Sequence, residues 1–281
     1  MIAVDGSIVS GWFQPRKPDT HKGTYGKVLL VAGSPGMGGA ALLAGKAALR
    51  SGVGLLTIAV PEEMFPIMQS SLWEAVLKDR NHPLVNLEQY HGMAIGPGLG
   101  MSPKEGKLVR HLLTRYPGPV VVDADGLNHL AKNRDTALLK RREGPVLITP
   151  HPKEAQRLLA LNQAQYENLS REEVAASLVD VTSAWVVLKG YGTLIMSPEK
   201  KVVVNSSGNP GMATGGTGDV LTGIILGLLG TGFTPWQAAV AGVYIHGLAG
   251  DLAATERGMI SLMASDLLDF LPMIFQKMER E

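Results

Sequence analysis

The run Asn209-Pro210-Gly211-Met212-Ala213-Thr214-Gly215-Gly216-Thr217-Gly218-Asp219 leads directly into the apolar stretch Val220-Leu221-Thr222-Gly223-Ile224-Ile225-Leu226-Gly227-Leu228-Leu229. Glycine lets backbone N–H groups converge on a small anion, because no side chain blocks the approach. The start of the apolar helix adds unpaired N–H groups and the positive end of its dipole. Together these features make a phosphate site. Asp219 is the odd member of the run. It could be a plain helix cap. Placed where an anion is expected, a carboxylate would repel that anion unless it has another task, such as taking a proton from an attacking hydroxyl.

Two other phosphate motifs fail on spacing. Gly33-Ser34-Pro35-Gly36-Met37-Gly38-Gly39 follows a strand, but Ala41 breaks the G-x-G-x-x-G pattern that a dinucleotide fingerprint needs. Gly45-Lys46 is followed by Ala47 inside a helix, so no P-loop forms there, and Gly45 reads as a close-packing position.

The elements that must position these residues alternate. Lys27–Gly33, Leu55–Val60, Pro119–Leu127 with two aspartates at its tip, Pro145–Pro150 and Trp185–Gly190 read as strands of the kind a doubly covered sheet requires. Helices are expected over Ala40–Arg50, from Ser102-Pro103 to about Tyr116, from His151 to Leu161, from the capping box at Ser170 to about Ala184, and from Thr234-Pro235 to about Thr255. A last helix starts at Ser265-Asp266 and bends near Pro272. Leu194–Met196 and Val202–Asn205 read as an edge hairpin, and Met1–Tyr25 as a short helix or arm. The fold class is therefore α/β: three layers, a doubly wound and mostly parallel sheet with helices on both faces. The loops at 33–39, 96–100, 123–126, 149–154, 189–193 and 209–219 all follow strand ends and should meet in one cleft. No repeat or linker interrupts the chain, so residues 1–281 are expected to form a single domain.

Composition bounds the partners. The net charge is +1, which offers no footprint for nucleic acid or an anionic membrane surface. Cysteine is absent, which excludes disulfides and thiolate metal sites and fits a cytoplasmic protein. The first residues lack the basic and apolar regions of a signal peptide. The apolar stretch Val220–Phe233 falls short of the ~20 residues that span a bilayer. Small apolar helices such as Ala40–Arg50 favour self-association, and a homo-oligomer such as a tetramer is the expectation.

The combination of Gly33-Ser34, Gly96-Pro97-Gly98-Leu99-Gly100, Asp123-Ala124-Asp125-Gly126, Thr149-Pro150-His151-Pro152-Lys153-Glu154, Lys189-Gly190-Tyr191-Gly192-Thr193 and the run 209–219 resembles the ADP/ATP-dependent NAD(P)H-hydrate dehydratases of the ribokinase-like superfamily. The likeness covers roughly residues 20–270. It implies repair of (6S)-NADHX or NADPHX to NADH or NADPH. The ring hydroxyl is phosphorylated and then lost as phosphate, with ADP preferred to ATP and AMP released. Some members carry a fused epimerase domain; this chain begins too close to its first strand to be expected to hold one.

The resemblance also assigns roles. Asp219 would be the base, with the amides of Gly216, Thr217 and Gly218 holding the transferred phosphoryl group. Ala40, Gly100, His151 and Asp219 would bind the hydrate. Lys189, Gly190, Tyr191, Gly192, Thr193 and Gly218 would bind the nucleotide. Tyr191 stands where many relatives carry a small residue, and either stacks on the base or shields the edge. Glu154 would order Mg²⁺ through water, with Asp123 and Asp125 as alternatives, or else as caps of the following helix. His246 is expected to be core. The competing readings are a kinase of a vitamin precursor, of hydroxyethylthiazole or hydroxymethylpyrimidine type, and a nucleotide-binding protein without catalysis.

Overall fold

A strand that is apolar along its whole length needs cover on both faces, and its side chains alternate between two cores. The computed structural model, which describes residues 2–280, shows that alternation throughout. Ten strands form one sheet: β1 (Ile2–Ala3), β2 (Lys27–Val31), β3 (Leu55–Val60), β4 (Val76–Asp79), β5 (Gly92–Ile95), β6 (Val120–Val122), β7 (Val146–Ile148), β8 (Trp185–Leu188), β9 (Leu194–Met196) and β10 (Val202–Val204). Val28, Leu30, Ala94, Val121 and Leu147 face one core, under the helices Gly38–Arg50, Thr217–Gly230, Pro235–Arg257 and Ala264–Met278. Leu29, Val31, Ile95, Val122 and Ile148 face the other, under Pro103–Arg115, Ala124–Lys132, Pro152–Leu158 and Arg171–Thr182. The expected three-layer α/β architecture is therefore present.

The strand order is β1-β10-β9-β8-β7-β6-β5-β2-β3-β4. From β2 the chain winds outward through β3 to β4, then returns to lay β5 on the other side of β2. That reversal is a topological switch point, where open α/β sheets bind ligands beyond the strands' carboxyl ends. Strands β2 to β8 run parallel, and β9 is antiparallel to both its neighbours.

Several boundaries differ from expectation. The β9–β10 hairpin forms, but the two-residue β1 pairs alongside β10 and covers its outer edge. The opposite edge is β4, which the sequence pattern did not reveal because Val76-Leu77-Lys78-Asp79 lacks both a continuous and an alternating apolar signature. The helix after His151 stops at Leu158, and the last helix begins at Ala264 with Pro272 inside it.

The Gly38–Arg50 and Thr217–Gly230 helices pack backbone against backbone. A Cβ at Gly223 would lie 2.1 Å from the Ala44 carbonyl oxygen, and one at Gly227 would lie 2.6 Å from that of Ala48. The small-residue face that suggested self-association is thus occupied within the chain. Among the described residues no helix is long and apolar enough to cross a membrane.

Candidate active site

The Thr217–Gly230 helix starts without a side-chain cap. Gly216 stands at its N-cap in the left-handed region, at φ 94°. The Thr217 hydroxyl turns back to the carbonyls of Met212 and Thr214, at 3.0 and 3.1 Å, and so closes the glycine-rich loop instead of capping the helix. The loop hangs from the Pro235–Arg257 helix. The Asp251 carboxylate accepts from the Gly208 amide at 2.8 Å and the Asn209 side chain at 3.0 Å, and the Ser207 hydroxyl reaches the Tyr244 carbonyl at 3.1 Å. The first-turn N–H groups are left free of side-chain acceptors, as an anion site requires.

Against this turn lies a buried charge network. Lys189, at the end of β8, places its ammonium 2.8 Å from Asp123 Oδ1, and the Thr222 hydroxyl donates to Asp123 Oδ2 at 2.7 Å. The Lys189 Nζ lies 3.3 Å from where a Cβ on Gly218 would stand, so the ammonium packs closely against the helix start. Burial alone would lower the Lys189 pKa, but Asp123, Glu154 and Asp219 outweigh it and hold the ammonium charged. Burial alone would raise Asp123; Lys189 and the Thr222 hydroxyl outweigh that and hold its pKa low.

Asp219 has a different environment. Burial first, then the charges of Asp123, Asp125 and Glu154, push its carboxyl up to about 7 against the pull of Lys189. Its carboxylate has no hydrogen-bond partner among the described residues. A carboxylate that titrates near neutrality and is not already bonded is suited to accept a proton. The charges acting on it belong to the ends of β6, β7 and β8, so it faces the cleft and not the core.

A second group assembles at the switch point. Gly98, at φ 56°, sits so close to Ala40 and Met37 that a Cβ would lie 2.9 Å from the Ala40 Cβ. The Ser34 hydroxyl donates to the Gly98 carbonyl at 2.9 Å, and the Gly33 amide to that of Pro97 at 2.8 Å. Gly100 is held at both ends: its amide donates to Asp125 Oδ2 at 2.9 Å, and His129 Nε2 lies 2.9 Å from its carbonyl. Asp125 therefore joins the two groups, bonding Gly100 while acting electrostatically on Asp219.

His151 begins the Pro152–Leu158 helix. Its Nδ1 accepts from the Lys153 amide at 3.1 Å, which assigns the proton to Nε2, 3.2 Å from Glu154 Oε1. Glu154 Oε2 accepts from the His151 amide at 2.9 Å. The loop after β8 is set by Gly190 at φ 136° and Gly192 at φ 59°, with the Thr193 hydroxyl on the Gly190 carbonyl at 3.0 Å. The Arg171 guanidinium donates to the Leu188 carbonyl at 2.8 Å and to that of Tyr191. The Tyr191 side chain is fully exposed.

The acids do not form a direct metal cage. Among the described residues no three His, Asp or Glu side chains converge. Asp123 is bonded to Lys189 and Thr222, Asp125 to Gly100, and Glu154 to His151. Asp123 does not cap the helix that follows it. A magnesium ion, which keeps most of its waters, would meet these carboxylates through water and not directly.

The structure adds residues that sequence reasoning passed over. Arg80 is buried, and its guanidinium donates to the carbonyls of Ala32, Gly33 and Leu99, latching the two switch-point loops together. Its hydrogen-bond partners are backbone carbonyls, which leave no trace in a sequence, and the Glu105 carboxylate pairs with it at 3.5 Å. Thr222 lies one turn beyond Asp219, and that spacing could have flagged it. His246, expected as core, places Nε2 2.8 Å from the Thr217 carbonyl oxygen. Two cavities, of about 700 and 750 Å³, lie elsewhere. One lies among Trp12, Tyr25, Arg50 and Phe233, the other between the Gly6–Ser10 helix and the last helix; neither is lined by Asp219, Lys189, Asp123 or His151.

A mostly parallel sheet with its ligand loops at one edge and a glycine-rich helix start defines the ribokinase-like class. A ribokinase-like protein of Enterococcus faecalis superposes with a TM-score of 0.89 at 26% identity, over 100% of this chain and 97% of that one. The family described as NAD(P)H-hydrate dehydratase matches residues 28–273, and the chain belongs to that family. It is 39% identical to the ADP-dependent (S)-NAD(P)H-hydrate dehydratase of Bacillus subtilis, over 94% of each chain. A crystal structure of the ADP/ATP-dependent enzyme from that organism, co-crystallised with ATP/Mg²⁺, superposes with a TM-score of 0.88 at 36% identity, over 99% of each chain. The chain is also 47% identical to the bifunctional NAD(P)H-hydrate repair enzyme Nnr of Moorella thermoacetica, but spans only 52% of that protein's length.

Proposed function

We propose that this chain is an ADP-dependent (S)-NAD(P)H-hydrate dehydratase acting through a single ribokinase-like domain. The observation that carries the reading is Asp219: an unbonded carboxylate, tuned to about 7, on the first turn of an uncapped helix, with the Lys189 ammonium alongside. The names of the relatives at 39% and 47% identity support the substrate class. A pure phosphate-binding protein would gain nothing from a carboxylate in that place.

In this reading Asp219 takes the proton of the hydrated ring's hydroxyl. The hydroxyl oxygen forms a bond to the terminal phosphorus of ADP as the phosphoanhydride bond breaks, releasing AMP. The ring nitrogen then pushes out phosphate, and loss of a neighbouring ring proton restores the double bond. The amides of Gly216, Thr217 and Gly218 hold the migrating group, whose charge they stabilise. Lys189 supplies a fixed positive charge, with Asp123 and Thr222 keeping it in place. Ala40, Gly100 and His151 line the side from which the hydrate would enter, and Lys189 to Thr193 the nucleotide side. Magnesium, when bound, neutralises the donor phosphates; Glu154 is the carboxylate that would order its waters.

The test is direct. Incubation with NADHX and ADP, and separately with ATP, should regenerate reduced nicotinamide absorbance with release of one phosphate per turnover. Release of AMP with ADP as donor supports the nucleotide assignment. Transfer of phosphate to a stable hydroxymethylpyrimidine or hydroxyethylthiazole product, or nucleotide binding without turnover, would refute the dehydratase assignment.

A further inference from the structure

We propose that His246 is a positioning residue, whose ring N–H aims the Gly218 amide at the transferred phosphoryl group. The inference rests on the phosphoryl-transfer reading of the cleft. Its Nε2 lies 2.8 Å from the Thr217 carbonyl oxygen. A carbonyl only accepts, so Nε2 carries the proton.

The Thr217 carbonyl and the Gly218 N–H are the two ends of one peptide plane. That plane is trans, so the oxygen and the hydrogen point in opposite directions. Fixing the oxygen on the His246 side therefore fixes the N–H on the cleft side. Gly218 is in the first turn of its helix, where the N–H has no intrahelical acceptor and is available to an anion. A hydrogen bond to the oxygen of an amide also strengthens donation by its nitrogen, so the ring polarises the same N–H that it aims.

A histidine here differs from a lysine or arginine in one respect: it can donate without bringing a charge. Burial, with Lys189 nearby, pushes His246 down to about 4 despite the favourable bond to Thr217. The ring therefore stays neutral while Lys189 provides the positive charge. The same helix carries Tyr244 and Asp251, which hold the glycine-rich loop from the other side. One helix thus sets both the loop and the first peptide of the anion site.

The test compares H246F, which keeps the ring size but loses the donor, with H246Q, which keeps an N–H. With hydrate and ADP, H246F should lose about 10–100-fold in kcat, less than complete deletion of an oxyanion donor, with nucleotide KM little changed. H246Q should recover most of that loss, and the pH–rate profile set by Asp219 should not move in either. A second readout does not need hydrate turnover. In ¹⁵N NMR, addition of AMP with inorganic phosphate should shift the Gly218 amide strongly downfield in the wild type and weakly in H246F. If the wild type turns over no hydrate yet Gly218 responds in this way, the dehydratase assignment fails and the positioning role stands. Where the wild type turns over hydrate, turnover of H246F equal to it, or H246Q no better than H246F, overturns the proposal; the same Gly218 response in wild type and H246F overturns it in either case. If H246F does not fold, the wild-type spectrum decides: a His246 Nε2–H resonance that shifts together with Gly218 on phosphate binding is required, and its failure to respond refutes the role.

Discussion

Asp219 is both useful and costly where it lies. Below about pH 7 it is protonated and cannot act as base, so turnover should rise with pH and level off above that value. Asp219→Asn should bind nucleotide normally yet lose about 10²–10⁴-fold in kcat, as expected for removal of a general base. The linkage runs the other way for stability. A carboxyl whose folded pKa is raised favours the folded state while protonated, and that contribution, full below the ordinary value of 3.8, is lost progressively as pH rises from there to about 7. The Asn variant should therefore melt above wild type at pH 8 and by a smaller margin at pH 5; the same melting difference at both values would refute the tuning. Asp123 is the opposite case, a carboxylate buried together with its partner. Asp123→Ala leaves Lys189 without its counter-charge and should cost about 3–5 kcal/mol, towards the lower end because the ammonium keeps some access to the cleft. Urea unfolding measures it. Asp219 stood out in the sequence because its charge contradicted its setting. His246 did not, because it sits on a helix of small and apolar residues and its partner is a backbone atom.

At the scale of elements, the glycine-rich helix carries two demands. Its first turn must stay open for an anion, and its flank must let another helix backbone come close. Gly223→Ala would drive a methyl into the Ala44 carbonyl and should lower stability by about 1–3 kcal/mol without altering the pH profile. The loop at 189–193, for which we propose nucleotide binding, depends on the neighbouring helix in a similar way. Arg171→Gln should raise the nucleotide KM about tenfold, the equivalent of one charge-assisted hydrogen bond, with kcat retained. An unchanged KM would show that the loop holds its shape unaided. The helix starts at Pro103, Arg171 and Pro235 were legible because Ser102, Ser170 and Thr234 make real side-chain caps. Strand β4 was not legible, since a short edge strand of mixed residues has no period to read.

Across the whole molecule, a buried cation, Arg80, helps to keep the switch point between β2 and β5 closed, beside the Ser34–Gly98 and Gly33–Pro97 hydrogen bonds. Arg80→Met should loosen the loops that hold Ala40 and Gly100, raising the hydrate KM while nucleotide binding, on the far side of the cleft, is retained. Calorimetric titration of each ligand separates the two effects; equal losses for both would mean that the latch supports the whole cleft. The layered architecture was legible because six of the seven parallel strands, all but β4, announce themselves as apolar runs or strand-end glycine clusters. The latch was not, because chain reversal brings Arg80 beside loops far from it in sequence.

The suspension of the glycine-rich loop from the Pro235–Arg257 helix also bears on inheritance. Residues 207–218 and residues 244–251 are separate stretches of chain but one mechanical part. A chimera that exchanged the loop between distant homologues without its hanger would import the donors and lose their bearings. Recombination should therefore keep the two stretches together, and transplanting them as a cassette is the way to move this anion grip onto another scaffold.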